Sequence, residues 1–454
     1  MPYPWGALVS WAPFKIDALG LVTLLGADEV NSSVGRLAPS YWLEYMPLLA
    51  SFIFANDRFR SKQAAYTLYN VSSGIVTGNL ASWFTRWMQV QDFQTSRSLV
   101  YWEIEQVPRN QSGGFIVAGI ISFGFNGLLI AMTVLAGDWY GFANAVALAV
   151  LIGVRSYLLQ TTRNAIDRAV EVAKPLRTTF AGAMDEWRER IKTDSDAVQP
   201  QKDMREWRPE VVKILVAMPD SRLVTMFIPE HLLRPIFVTD VTPSSLVLYR
   251  LVQWVGWVAF SVHIVTLGMA QLAAQIYVVV VMVASTVLVC YGVGCDDSRV
   301  YKWWRGQAED ISPPYAFWAG KRLKATVLEW PPHFEFIRTK DGSWSRRLST
   351  ETVKQNQRST ARQDLYAWLD LSSEEMNSLS DWHLLPHRRD HDDSWWMDFD
   401  AKRLLVQRDP LDASTLSHTM NQSSNKVTSN RVVLPRHSLS GDIELGGNKG
   451  FQTK

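Results

Sequence analysis

Four long stretches with almost no charge constrain what this chain can fold into. They cover residues 115–136, 140–159, 246–268 and 272–293, and the first contains no ionisable side chain. Each has about the 20 residues that a helix needs to cross a hydrocarbon layer about 30 Å thick. Long helices buried in soluble proteins usually keep a polar face. The four stretches together therefore predict transmembrane helices.

The four stretches form two pairs with very short connections. Residues 137–139 separate the first pair and residues 269–271 the second, and neither connection contains Lys or Arg. Basic side chains near the ends of a span tend to stay in the cytosol. Here they flank the opposite ends of the pairs, and they include Arg97, Arg109, Arg155, Arg163, Arg168, Lys174, Arg234, Arg250, Arg299, Lys302 and Arg305. The pattern predicts two tight hairpins, with both termini and the middle segment in the cytosol.

The fold class that follows is mainly α: a polytopic membrane protein with about four transmembrane helices in two tight hairpins, plus a small α+β cytosolic C-terminal region. Two further apolar segments, residues 16–27 and 45–56, are short for a span, so their embedding in the membrane stays open. The predicted regions are an N-terminal cytosolic or membrane-associated region (1–114), hairpin 1 (115–159), a central cytosolic segment (160–245), hairpin 2 (246–293), a Trp-rich cytosolic region (294–408) and a disordered tail (409–454).

The soluble segments give weaker local signals. Residues 211–217 and 223–228 are short apolar runs that could be strands or buried helices, because periodicity does not separate the two. Residues 361–371 favour a helix, and Ser372 with Glu375 has the spacing of a capping box that begins another. The chain has 20 Trp. Seven of them require a packed domain or a partner surface, namely Trp318, Trp330, Trp344, Trp368, Trp382, Trp395 and Trp396.

Charge and cysteine content exclude several classes of protein. The 46 Lys and Arg and the 44 Asp and Glu leave a formal charge of +2, which excludes a chain driven onto nucleic acid by its overall charge. Two Cys exclude a disulfide-stapled secreted scaffold. No Gly-rich phosphate loop or zinc-finger spacing occurs. We therefore expect no cofactor and no nucleic-acid partner.

Two polar clusters resemble catalytic or metal sites only superficially. His383, His387 and His391 lie close to Asp390, Asp392 and Asp393, and imidazole with carboxylate suits zinc. The adjacent Arg388 and Arg389 would repel a cation. Asp296 and Asp297 follow the fourth apolar stretch, but a magnesium–diphosphate site would need a second Asp-rich motif. We therefore predict no catalytic, cofactor-binding or metal-binding residue.

A few polar side chains lie inside the apolar stretches. An ionisable group within a membrane is a functional hypothesis by default, and Asn126, Asn144 and His263 form the candidate intramembrane polar site. The alternative for His263 is a neutral side chain that hydrogen-bonds across helices. Arg155 and Arg250 lie near the cytosolic ends, where their side chains can reach the surface.

These observations favour a multi-pass membrane protein that is a non-enzymatic scaffold or regulatory component. Its expected partners are the lipid bilayer and a protein bound through the cytosolic regions. The alternative is a subunit of an oligomeric channel or transporter, in which a homo-oligomer lines a pore with Asn126, Asn144 and His263. An enzyme that uses Asp296 and Asp297, or the cluster around His387, is the third hypothesis.

Overall fold

The computed structural model describes residues 27–91, 93–105, 107–109, 112–173, 211–295, 315–329, 334–348, 359, 361–387 and 394–408. Its α-helices are α1 (Ala27–Gly35), α2 (Phe52–Ala55), α3 (Ser82–Val90), α4 (Ser112–Ala136), α5 (Trp139–Val172), α6 (Glu230–Leu232), α7 (Leu246–Met269), α8 (Leu272–Cys290), α9 (Arg362–Trp368), α10 (Ser373–Asp381) and α11 (Ser394–Arg408). Its strands are β1 (Thr67–Asn70), β2 (Ile75–Thr77), β3 (Ser98–Ile104), β4 (Val211–Ala217), β5 (Leu223–Pro229), β6 (Tyr315–Ala319), β7 (Leu323–Glu329), β8 (Phe334–Arg338) and β9 (Trp344–Leu348). The predicted disordered tail, residues 409–454, lies outside these ranges.

Four of the helices are long and apolar enough to cross a membrane. They are α4, α5, α7 and α8, with 25, 34, 24 and 19 residues, and each contains most of one predicted apolar stretch. They form two adjacent pairs, joined by residues 137–138 and 270–271. Their outward side chains are largely apolar; Phe123 and Trp254, for example, are 81% and 72% exposed. Such a surface is favourable against lipid and unfavourable in water.

The tips of the two pairs are joined by the Asp138 carboxylate. Its Oδ1 accepts a hydrogen bond from the Gly141 N–H (2.9 Å) at the start of α5. Its Oδ2 accepts one from the Gln271 N–H (2.8 Å) just before α8. The first N–H groups of a helix have no partner within the helix, and a negative charge there also interacts favourably with the helix dipole. One side chain therefore satisfies backbone donors at two helix starts.

A seven-stranded mixed sheet is the second large element of the fold. Its strand order is β2-β1-β4-β5-β3-β7-β6. Strands β1 to β3 precede the first pair of long helices, β4 and β5 lie between the pairs, and β6 and β7 follow the second pair. β3 pairs in parallel with β5 and antiparallel with β7, and β1 pairs antiparallel with β4.

This sheet corrects the predicted fold class. We expected a mainly α chain with a small α+β region near the carboxyl terminus, and the structure is a mixed α/β fold whose sheet draws strands from three segments. The two ambiguous runs of the middle segment are strands, since β4 and β5 form an antiparallel hairpin. The physical reason for the error is that the neighbours of a strand lie far away in the sequence, so local patterns do not reveal them.

One face of the sheet packs on a cluster of aromatic rings. Helix α3 contributes Trp83, Phe84 and Trp87, and each is at most 2% exposed. Trp102 of β3 lies 5.0 Å from Trp87, centroid to centroid, in an edge-to-face arrangement, and Phe237 lies 4.9 Å from Trp102. Edge-to-face pairs add about 0.5–1.5 kcal/mol beyond the burial of their surface. This cluster accounts for three of the Trp residues.

The opposite face of the sheet contacts helix α10 and the residue that ends it. Tyr69 of β1 contacts Trp382, with 5.3 Å between ring centroids, and the Lys213 ammonium lies 3.1 Å from the Glu375 carboxylate. Ser372 and Glu375 form the expected capping box at the start of α10. Trp330 lies outside the described residues, and each of the other six Trp residues of this region is buried or half-buried. These six Trp side chains pack within the protein, which is one of the two arrangements expected from their number.

Residues 45–56 pack against the long helices instead of forming a span of their own. Within them only Phe52–Ala55 forms a helix. The Leu49 N–H donates to Thr286 Oγ1 of α8 at 2.9 Å, and Phe52 contacts Phe260 of α7 at 5.8 Å between ring centroids. The other short apolar segment, residues 16–27, lies outside the described residues except for Ala27.

Helix α5 connects the long helices to the sheet without a break. Its 34 residues extend over about 51 Å at 1.5 Å per residue. Leu148 and Leu151 pack among the long helices, whereas Ile166 and Val170 belong to the core beneath the sheet. A single rigid element thus belongs to both parts of the fold.

The carboxylate of Asp138 gives the first testable prediction. Asp138→Ala should reduce the free energy of unfolding by about 2 kcal/mol, because two helix starts each lose a cap typically worth about 1 kcal/mol. Unfolding of the protein in detergent, followed by far-ultraviolet circular dichroism, measures the change. Gln271→Ala is the matched control, since only the backbone N–H of Gln271 takes part. Equal stability of Asp138→Ala and wild type would contradict the role of this carboxylate.

Candidate functional site

Asn144 and His263 meet inside the bundle of long helices. Asn144 lies on α5 and His263 on α7, and both are fully buried. The Asn144 Nδ2 donates to the His263 carbonyl oxygen at 3.2 Å, and the His263 Nδ1 lies 3.3 Å from the Asn144 Oδ1. The two side chains form a polar link between one helix of each pair.

Asn126, the third residue of the predicted intramembrane site, makes different contacts. Its Nδ2 donates to the carbonyl and hydroxyl oxygens of Ser122, one turn earlier on α4, at 3.0 and 3.1 Å. The Ser122 hydroxyl in turn donates to the Tyr45 carbonyl at 2.6 Å. The structure therefore brings together Asn144 and His263, while Asn126 helps to hold residues 45–56 against α4.

The two clusters that resembled metal sites are only partly described. The rings of His383 and His387 lie 5.4 Å apart, whereas residues 388–393 and 296–297 are outside the described ranges. Cys290 and Cys295 are free thiols. Within the ranges that the structure describes, no group of three or more His, Cys, Asp or Glu side chains is placed to hold a metal ion.

Sequence patterns missed a buried ionic network around Glu44. The Glu44 Oε1 lies 2.6 Å from the Arg163 Nη1, and its Oε2 accepts a hydrogen bond from the Ser40 N–H at 3.1 Å. The Arg163 Nε donates to the Leu37 carbonyl at 2.8 Å. Glu44 and Arg163 are 8% and 4% exposed. The pair attaches residues 37–44 to α5 where that helix leaves the apolar stretch.

Arg155 belongs to the same network. We expected its side chain to reach the cytosolic surface, but it is only 4% exposed. Its guanidinium donates to the Glu44 carbonyl oxygen and lies over the Phe54 ring, 5.9 Å from the centroid. One local signal could have indicated the network: Glu44 is the single acidic or basic residue between Arg36 and Asp57. A lone acid in an apolar segment needs a cation close by.

A small cavity beside the network is lined by the charged residues Arg36, Arg155, Arg163 and Glu44, together with Ser33, Ser40, Cys295 and apolar side chains. Its volume of about 30 Å³ is enough for a water molecule, which needs about 10–15 Å³. It is too small for an organic ligand. The chemistry that the network can perform is therefore to hold segments together.

A second polar junction lies at the start of α7. The Tyr249 hydroxyl donates to the Asp57 Oδ1 at 2.7 Å, and the Arg60 guanidinium lies 3.4 Å from the Asp57 Oδ2. Burial raises the pKa of the Asp57 carboxyl, while the hydrogen bond from Tyr249 and the charge of Arg60 act in the opposite direction. This junction attaches residues 57–60 to the base of the second helix pair.

Comparison of the chain with known protein families, with curated proteins and with solved structures gives no match in any of the three. The physical findings on the chain itself are four helices long and apolar enough to cross a membrane, a sheet assembled from three segments, and buried polar junctions between the two.

The ionic network gives the second testable prediction. Glu44→Gln should reduce the free energy of unfolding by about 3–5 kcal/mol, because removal of one partner of a buried ion pair leaves the other charge uncompensated. Chemical unfolding in detergent micelles measures the loss. Asp220→Asn is the control, because it breaks an ion pair in which the Arg222 and Asp220 side chains are 25% and 47% exposed. A surface ion pair contributes at most about 1 kcal/mol to the free energy of unfolding. Similar losses in the two variants would refute the special role of Glu44.

Proposed function

We propose that this chain is a multi-pass integral membrane protein in which α4, α5, α7 and α8 cross the bilayer as two hairpins. The sheet and its associated helices lie in the cytosol, as do both termini. The observation that carries this proposal is the single sheet built from segments before, between and after the hairpins. Backbone pairing requires those three segments to share one compartment, and each hairpin returns the chain to the side it left.

The charges near the helix ends support the orientation. The tip residues of the two connections carry no Lys or Arg, whereas Arg109, Arg163 and Arg250 lie toward the sheet, which is the cytosolic side by the positive-inside rule. Trp139 at one tip is 71% exposed, and Trp is enriched where a membrane meets water.

We further propose that the protein is a non-enzymatic scaffold or regulatory component that presents the sheet domain at a fixed position on the bilayer. The supporting observation is the attachment of that domain to the long helices by α5, by the Glu44 network and by the Tyr249 junction. The three polar side chains of the predicted intramembrane site make separate contacts: Asn144 bonds to His263, and Asn126 bonds to its own helix. A shared pore lining would need all three to face one path, so the scaffold is favoured over the channel subunit.

Thiol labelling in sealed microsomes, whose outer face is cytosolic, tests the topology. The variants carry one cysteine each, in a background without Cys290 and Cys295: Ser73→Cys in the exposed turn after β1, Trp139→Cys at the first tip and Met269→Cys at the second. An impermeant maleimide should label Ser73→Cys directly and the tip variants only after detergent opens the membrane. Labelling of Ser73→Cys and either tip from the same side would overturn the proposal.

Purification from the native membrane tests the scaffold function. The full chain, solubilised with its surrounding lipid, should elute with a second protein at a fixed stoichiometry. Elution as a homo-oligomer that conducts ions after reconstitution would support the channel hypothesis instead. Mass measurement of the eluted complex distinguishes the two outcomes.

A further inference from the structure

We infer that an open groove at the cytosolic end of α5 binds the phosphate group of an anionic phospholipid. The groove has a volume of about 370 Å³, and it is lined by Asn164, Asp167, Arg168 and Glu171 of α5 and by Lys321 and Arg322 of the turn between β6 and β7. We call it the basic groove. The inference rests on the proposed function, because the identity of the ligand depends on where the bilayer lies.

The acidic side chains of the basic groove are already engaged. The Asp167 Oδ1 accepts hydrogen bonds from the backbone N–H groups of Lys321 (2.8 Å) and Arg322 (3.2 Å). The Glu171 carboxylate lies 2.9 Å from the Arg322 guanidinium. Two acids therefore face three cations, and both acids have defined partners.

Two cations of the groove remain available to a ligand. Within the described part of the chain, the side chains of Arg168 and Lys321 form neither a hydrogen bond nor an ion pair. The Asn164 Oδ1 accepts from Gln160 at 3.0 Å, which leaves its amide N–H groups as donors. A guanidinium, an ammonium and an amide together match the acceptor oxygens of a phosphate.

The turn that carries Lys321 is held rigidly against α5. Gly320 has a φ of +73°, and a Cβ at that position would lie 2.5 Å from the Asp167 Oδ1. The glycine thus permits both the left-handed backbone and the close approach that brings the Asp167 carboxylate to the N–H groups of the turn. This fit fixes Lys321 on the same groove as Arg168.

The height of the groove selects a lipid headgroup as the source of the phosphate. Asn164 and Arg168 follow Trp139 by 25 and 29 residues, which is about 38 and 44 Å along a helix. A bilayer measures about 40–45 Å across both headgroup layers. With Trp139 at the opposite interface, the groove therefore lies at the level of the cytosolic headgroups. α4 enters at the same level, since it begins at Ser112, shortly after Pro108 of the groove.

Binding of short-chain lipids to the full chain in neutral detergent tests the inference. Dioctanoyl phosphatidylserine should bind saturably, as followed by tryptophan fluorescence. Dioctanoyl phosphatidylcholine should bind far more weakly, because its choline cation cancels the charge of the same phosphate beside the cations of the groove. The double variant Arg168→Gln/Lys321→Gln should lower the affinity for phosphatidylserine about thirtyfold, since each basic side chain near an anionic headgroup contributes about 1 kcal/mol.

The matched control is Arg338→Gln/Lys340→Gln, which removes the same charges from the exposed end of the β8–β9 hairpin and should bind like wild type. Equal weakening in both double variants would overturn the inference, because it would reflect overall charge. Saturation of the groove by inorganic phosphate at the same concentrations would also overturn it, in favour of a soluble phosphate. If the double variant does not fold, Lys321→Glu alone should likewise weaken the binding of dioctanoyl phosphatidylserine. The labelling experiment reports the orientation separately, so failure here leaves the topology intact.

Discussion

The pairing of strands from three distant segments is the constraint on which the rest of the structure depends. Each of the contacts β1–β4, β5–β3 and β3–β7 joins residues that are separated along the chain by at least one pair of long helices. Where those helices cross a bilayer, the sheet requires an even number of crossings between the paired segments. Tight connections of two residues, stabilised by the Asp138 carboxylate, satisfy this requirement with the shortest possible excursions. The strand order of the sheet therefore depends on the pairing of the long helices.

The buried charges lie at the junction between the long helices and the sheet domain. Glu44 and Arg163 lie where the bundle of long helices meets the sheet domain, and both are largely removed from water. A charge in such a place is costly unless it is paired and hydrogen-bonded. The network satisfies this condition by using backbone groups of residues 37–44 as further partners. It thereby fixes an irregular segment between α5 and the turn that follows α8, because the Ser40 hydroxyl also donates to the Val293 carbonyl at 2.9 Å.

The sequence could predict those features whose signals are local. The four long helices and their tight connections follow from continuous apolar runs, and the capping box follows from the spacing of Ser372 and Glu375. The sheet could not be predicted as a whole, since β3 is matched to β5 and β7 only by tertiary packing. The candidate polar site shows the same limit. The link between Asn144 and His263 depends on the register of α5 against α7, and the buried position of Arg155 depends on the Glu44 carbonyl, more than one hundred residues away.

Rigid attachment of the sheet domain follows from contacts on three different helices. α5 continues from the bundle into the core beneath the sheet, α7 is bound at its start through Tyr249 and Asp57, and the end of α8 packs against the same core through Val289 and Cys290. Attachment through one helix would permit rotation about its axis, whereas attachment through three helices of a bundle removes that freedom. The position of the sheet relative to the long helices is therefore set by the fold itself. A surface held in this way, including the basic groove at the end of α5, keeps one position and one orientation relative to the long helices.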